Sequence, residues 1–245
     1  MGYWVMDKED SMDTVHGIVC RVRYGVLGSL LGLVSLTSCI KLDPEIKELA
    51  LQLRKTAVVI VDLQRDFTQA YKGSLAVPGS DQNYIDSVNE VTKYFMDKGF
   101  RIYATQDWHP ANHISFKVNG RGGIWPVHCQ QNTPGADILL DKEILDNAII
   151  VKKGMNPDYD SYSGFKDDNG AETILPKELK KHGIRDLVIY GIATDYCVKA
   201  TVLDARAAGF NVYVLSSYCR GVAPETIKDA LAAMSKAGAA IIPAL

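Results

Sequence analysis

No CxxC pair, low-complexity tract or internal repeat occurs in the 245-residue chain, and no stretch of lysines and arginines interleaves with aromatics. Five cysteines (Cys20, Cys39, Cys129, Cys197 and Cys219) fall at irregular spacings. An odd number without pairing argues against a disulfide framework, so each cysteine has to be judged alone. Excess charge of either sign is also missing: 27 basic against 29 acidic residues leave a net charge of −2. That balance gives no electrostatic ground for nucleic acid as a partner. With 47% hydrophobic and 23% charged residues, wholesale disorder is excluded and a full core is available. The length suits one α/β domain with an appendage.

The appendage is legible at the N-terminus. Residues 24–38 (YGVLGSLLGLVSLTS) carry no charge, follow Arg21 and Arg23, and precede Cys39. A membrane-spanning helix needs roughly 20 apolar residues, so the stretch is short for a span. A basic flank, an apolar stretch and small residues have the layout of a secretory signal. Leu36-Thr37-Ser38-Cys39 resembles a bacterial lipobox, whose cysteine is lipidated after cleavage. Against this, Asp7, Glu9, Asp10 and Asp13 are foreign to a basic leader, which a start nearer Met12 or beyond would explain. The alternative is an apolar extension on a soluble protein. Residues 1–50 are therefore set apart from a domain at 51–245. The expected address divides the same way: cytoplasmic, or a cell-envelope lipoprotein anchored at Cys39, with membrane contact only through this segment.

Within the domain, residues 57–61 (AVVIV) form a continuous apolar, β-branched run ending at Asp62, as in a strand buried on both faces. Residues 82–98 carry Ile85, Val88, Val91, Phe95 and Met96 at helical spacing and stop at Gly99. Further strands are expected at 101–106, 148–152, 186–191, 211–215 and 239–242. Helices are expected at 172–181, with Pro176 bending or restarting it, at 195–208, and at 224–236, begun by proline. Alternating strands and helices imply a mainly parallel sheet with helices on both faces. The irregular stretch 107–145 is too long for an ordinary connection and points to function. Ligands of open parallel sheets bind outside the carboxyl ends of the strands. That rule directs attention to Asp62, Asp107, Lys153 and the turn 191–197.

Each of these sites carries reactive chemistry. Cys197, in GIATDYCV (191–198), follows a strand and falls in the first turn of the expected helix. Helix N-termini lower a thiol's pKa and offer free N–H groups for an oxyanion; the competing reading is a buried structural cysteine. Asp62, in VDLQRDF (61–67), could exchange a proton with that thiol or simply form a turn. Lys153 could stabilise the thiolate and hold Asp62 ionised, or be a solvated charge. Its rival Lys152 points to the opposite face by strand alternation. Asp107 and His109, two apart on an extended segment, share a side, and His128 sits in WPVHC (125–129). Imidazole and carboxylate together suit zinc, iron or manganese with positions left open. His113 reads as a further ligand, a supporting partner or a plain loop histidine. Phe67, Trp125 and Tyr162 offer stacking surfaces for a planar heteroaromatic ligand, although loop aromatics often only pack on the core.

In order, VDLQRDF, DWHPANHISF, WPVHC, KGMNPDYDSYSGF and GIATDYCV resemble the nicotinamidase branch of the isochorismatase-like cysteine hydrolases, over roughly residues 55–243. The resemblance implies a three-layer, Rossmann-like fold around a six-stranded parallel sheet. It implies catalysis by Asp62, Lys153 and Cys197, and one divalent metal on Asp107, His109 and His128, with zinc the first expectation and iron or manganese behind it. A cis peptide at Ile192-Ala193 is implied as well, with the amides of Ala193 and Cys197 as the oxyanion hole. The implied activity is hydrolysis of nicotinamide to nicotinate and ammonia through a Cys197 thioester, feeding NAD salvage, with nicotinamide stacked among Phe67, Trp125 and Tyr162. The alternative is a related cysteine amidase for another small amide or an N-carbamoyl compound. Homo-oligomer formation is left open.

Overall fold

The computed structural model describes residues 54–243 continuously, together with Thr14–Val15, Ile18–Cys20 and Cys39–Ile40. The chain divides into two units, Met1–Gln52 and Leu53–Leu245. In the first, three short strands pair antiparallel in chain order; the signal-like segment 24–38 lies outside the described residues. Among the described residues no helix is long and apolar enough to cross a membrane.

The second unit holds a six-stranded sheet. Its strands are β1 (Thr56–Val61), β2 (Arg101–Asp107), β3 (Ile149–Lys153), β4 (Asp186–Ile192), β5 (Asn211–Arg220) and β6 (Ala240–Ile242). Their spatial order is β3-β2-β1-β4-β5-β6, and every adjacent pair is parallel. The helices are α1 (Gln82–Asp97), α2 (Lys142–Asn147), α3 (Leu175–Lys181), α4 (Lys199–Ala207) and α5 (Pro224–Lys236). From β1 the chain moves outward one way through β2 and β3, then crosses back and moves the other way through β5 and β6. Crossovers between parallel strands are right-handed, so the reversal puts α1 and α2 on one face and α3, α4 and α5 on the other. A crevice opens where the order reverses, between the carboxyl ends of β1 and β4.

Local sequence explains the elements. The β1 run is buried from Ala57 to Val61 and pairs on both sides, which only an unbroken apolar run tolerates. Asp81 caps α1 by accepting the Tyr84 N–H at 3.0 Å, and Gly99 closes it at φ 86°. Pro176 falls at the first turn of α3 and starts that helix rather than bending it, because a missing N–H costs nothing there. β5 runs five residues past its apolar part, through the polar SSYCR. The stretch 107–145 is not featureless: it contains two 3₁₀ turns and the start of α2. The chain after β4 first makes a π turn, Thr194–Val198, and α4 begins only at Lys199.

Candidate active site

Four strand ends meet at the crevice. Asp62 follows β1 with φ 46°, a turn that brings its side chain back under the strand ends. Asp107 and Lys153 close β2 and β3 as register partners. Cys197 lies in the π turn after β4, beyond the cis peptide Ile192-Ala193. Gly191, at φ 132°, lets β4 approach the backbone of Val61 so closely that any side chain would collide.

Lys153 is the hub, only 2% exposed. Its ammonium stands 3.0 Å from Asp62 Oδ2 and 2.5 Å from Asp107 Oδ1. It also donates to the Ser161 carbonyl at 2.8 Å and approaches Cys197 Sγ at 3.6 Å. Lys152 points outward over the Trp108 ring at 3.9 Å, as strand alternation requires. Burial alone would strip the Lys153 proton, but Asp107, Asp62 and Cys197 outweigh it and raise its pKa well above the ordinary value. Burial lifts the Asp62 carboxyl, with Lys153 pulling against it. Burial also lifts the Cys197 thiol well above its ordinary pKa, again against Lys153. This reverses the expectation of a lowered thiol pKa: Cys197 is buried and sits in a π turn, so desolvation exceeds any helix-end benefit. The resting sulfur is a thiol beside the Asp62 carboxyl group, and the thiolate has to be made when an acceptor arrives.

A second group adjoins the first through Asp107. His109 Nε2 lies 3.4 Å from Asp107 Oδ2, and one ligand atom from each of Asp107, His109 and His128 falls within 4.8 Å of the others. His109 Nδ1 faces the Gly154 carbonyl at 2.9 Å, and His128 Nδ1 faces the Pro126 carbonyl at 2.9 Å. Carbonyls only accept, so both rings donate from Nδ1 and turn Nε2 inward, where a neutral ring presents a lone pair to a cation. Glycine is required at 154 because the His109 ring lies against its Cα. His109 Nε2 is buried without a hydrogen-bond partner. Burial pushes the Asp107 carboxyl up, but Lys153, His109 and His128 outweigh it and hold it ionised below the usual range. Two inward lone pairs, one of them orphaned, beside a fixed carboxylate fit a divalent cation. Asp62, Asp107 and Cys197 are comparably close, but the Lys153 ammonium already occupies their centre. His113 does not join the ligand set: its nitrogens face Ser115 Oγ at 2.7 Å and the Tyr159 carbonyl at 3.2 Å.

Both groups open onto one cavity of about 270 Å³. Cys197 and Ala193 line one part, Asp107 and His128 another, and Phe67, Trp125 and Tyr162 are all in the wall. Trp125 Nε1 donates to Tyr162 Oη at 2.9 Å, which locks two of the rings together. All predicted site residues are thus brought together.

Other residues escaped the sequence reading. Tyr196 lines the cavity and meets Trp125 edge-on at 5.3 Å; its place beside Cys197 was the available signal. Gln64 accepts the Asp107 N–H at 2.8 Å and donates to the Asp107 and Ala136 carbonyls, both at 2.9 Å, pinning the peptide of the shared carboxylate. Asp66 accepts the Cys129 N–H at 2.7 Å beside His128. Asp195 accepts the Val222 N–H at 3.0 Å and ties the π turn to the start of α5. These are folded-state contacts between distant segments, and no spacing announces them.

The chain matches the Isochorismatase domain over residues 56–244. It is 40% identical to the nicotinamidase of Escherichia coli over 203 residues, covering 76% of this chain and 93% of that protein. Among solved structures it is similar to the pyrazinamidase of Pyrococcus horikoshii in complex with zinc. That match has a TM-score of 0.70 and 44% identity, over 77% of this chain and 98% of the other. It is also similar to PnC1 of L. infantum in complex with nicotinate, at TM-score 0.69 and 34% identity, over 78% and 93% of the two chains.

Proposed function

The chain belongs to the isochorismatase family, and from that premise we propose that it is a nicotinamidase, a metal-dependent amidohydrolase converting nicotinamide to nicotinate and ammonia. The carrying observation is one ring-sized cavity lined by Cys197, Asp107 and His128, with the Lys153 ammonium and Asp62 behind the thiol and His109 grouped with Asp107 and His128. A thiol so placed suits attack on an amide carbon, and the lone pairs and carboxylate suit a cation that orients a heteroaromatic ring.

Nicotinamide enters with its ring among Phe67, Trp125, Tyr162 and Tyr196 and its carboxamide against Cys197. Asp62 takes the thiol proton as Sγ bonds to the amide carbon, while Lys153 offsets the charge that develops. The oxyanion accepts hydrogen bonds from the N–H groups of Ala193 and Cys197. Asp62 returns the proton to the leaving nitrogen, the C–N bond breaks, and ammonia departs from a thioester. Water, giving a proton to Asp62, attacks the thioester carbon; the C–S bond breaks, the Asp62 proton goes to Cys197, and the nicotinic acid formed loses its own proton to solvent as nicotinate. Nicotinate then feeds NAD salvage. Asp107, His109 and His128 would hold the divalent ion, zinc in this reading, which would supply Lewis acidity to the site.

Ammonia release from nicotinamide by the purified, metal-supplied protein tests the reading. No release sinks it, and release from N-carbamoyl substrates alone would transfer the assignment to that class of amide.

A further inference from the structure

The carboxylate that exchanges protons with Cys197 has two oxygens, and a neighbouring strand distinguishes them. Thr105 lies fully buried on β2 beside Asp62. The Asp62 N–H donates to Thr105 Oγ1 at 3.1 Å, and Thr105 Oγ1 stands 2.6 Å from Asp62 Oδ1. An amide nitrogen can only donate, so the hydroxyl accepts there and gives its own proton to Oδ1. Oδ1 is thereby committed. Oδ2 is buried without a hydrogen bond; Lys153 Nζ lies 3.0 Å away but off the hydrogen-bond direction. The thiol belongs to the same tight group, since ligand atoms of Asp62, Asp107 and Cys197 lie within 4.8 Å of one another.

The aim of the hydroxyl is itself fixed. Thr105 Cγ2 rests on Gly164, where an added side chain would crowd it. Gly164 is held in turn by its N–H to Thr201 Oγ1 at 2.9 Å and by its carbonyl to Thr173 Oγ1 at 2.6 Å. A β-branched residue in such a packed place has one rotamer available.

We propose that Thr105 is a positioning residue: by engaging Oδ1 of Asp62, it makes Oδ2 the oxygen that receives the Cys197 proton and hands it to the departing ammonia. This rests on the amide hydrolysis proposed above. It assigns to β2 a part in catalysis distinct from ending in Asp107, because Thr105 reaches the acid–base group and not the histidines.

Thr105→Val and Thr105→Ser separate the hydroxyl from the methyl. Thr105→Val keeps the volume and loses the hydroxyl; kcat for nicotinamide should fall about 10²-fold with KM and metal content unchanged, the scale of a misaimed reacting group. Thr105→Ser keeps the hydroxyl and should retain near-wild-type kcat. Alkylation of Cys197 by iodoacetamide at neutral pH should slow in Thr105→Val and not in Thr105→Ser. If Thr105→Val does not fold, Thr105→Ala takes its place with the same expected fall. Wild-type kcat and alkylation in the hydroxyl-less variant would overturn the proposal. So would an equal loss in Thr105→Ser, which would make the methyl's packing the cause. Alkylation does not depend on the substrate: a wild-type enzyme inert toward nicotinamide would defeat the proposed function while leaving the Thr105 comparison decisive.

Discussion

Cys197, Asp62 and Lys153 are held by the carboxyl ends of parallel strands and the turn after one of them, whereas His109 and His128 hang from the long segment between β2 and α2. The first group owes its geometry to the sheet ladder, which fixes backbone positions collectively through register. The second is fixed one bond at a time, by ring nitrogens on the Gly154 and Pro126 carbonyls and by Asp66 on the Cys129 N–H. The difference suits their proposed tasks. Bond-making needs reacting atoms placed to within fractions of an ångström, which a rigid sheet supplies. Ligand orientation can be set by loop residues and varied without disturbing the core. Asp107 and Lys153 join the two groups through their buried ion pair.

Removing the nucleophile should show how separable the groups are. Cys197→Ala is expected to lower nicotinamide turnover by about 10⁴-fold or more, the scale seen when a covalent catalyst is removed. Its metal content, read by elemental analysis, should match wild type. Loss of metal together with activity would mean that the groups are one unit.

Lys153→Ala strikes the joint itself. It leaves Asp62 and Asp107 buried without their cation, and breaking one side of such a pair costs about 3–5 kcal/mol. Denaturant unfolding should show a loss of that order, and both turnover and metal retention should decline. A variant as stable as wild type would show that the carboxylates find other partners and that the joint carries no load.

His128→Ala addresses the loop group alone. Metal affinity should fall by more than the roughly 10–100-fold that loss of a supporting residue costs, and KM for nicotinamide should rise. Iodoacetamide labelling of Cys197 should continue at the wild-type rate. A nucleophile that became inert in this variant would contradict separate construction.

The same contrast governs what could be read before folding. Strand-end residues announce themselves: an apolar run ending in Asp62 or Lys153 marks both the strand and the point where chemistry begins. The loop ligands were legible because histidine is scarce and three of the five fall in one segment. What stayed hidden depends on cross-chain contact. Thr105 looks like an ordinary polar residue inside a strand and Gln64 like one just past a strand end, and their roles exist only once β2 lies next to β1. α2 is six residues long, too short for its periodicity to stand out from the surrounding loop. The raised thiol pKa of Cys197 was missed for the same reason, since enclosure is a property of the assembled crevice.

His113 provides the finest test, because it touches the loop group without belonging to the ligand set. Its ring stacks on His109 with centroids 4.1 Å apart, and both its nitrogens face protein partners. Burial first, and the neighbouring His109 ring second, push its pKa down to about 4. An unfolded histidine titrates near pH 6.5, so as pH falls the unfolded chain takes up the proton before the native one does. The stabilisation from a neutral His113 is complete above about pH 6.5 and is lost between there and about pH 4, amounting to about 3 kcal/mol at most. His113→Gln keeps a donor that can reach the Tyr159 carbonyl and cannot titrate. It should flatten the dependence of Tm on pH across that window while leaving neutral-pH turnover and metal content nearly unchanged. If metal were lost from His113→Gln, the ring would have to turn from Ser115 and Tyr159 toward the ion, and the loop group would be a four-residue site instead of three.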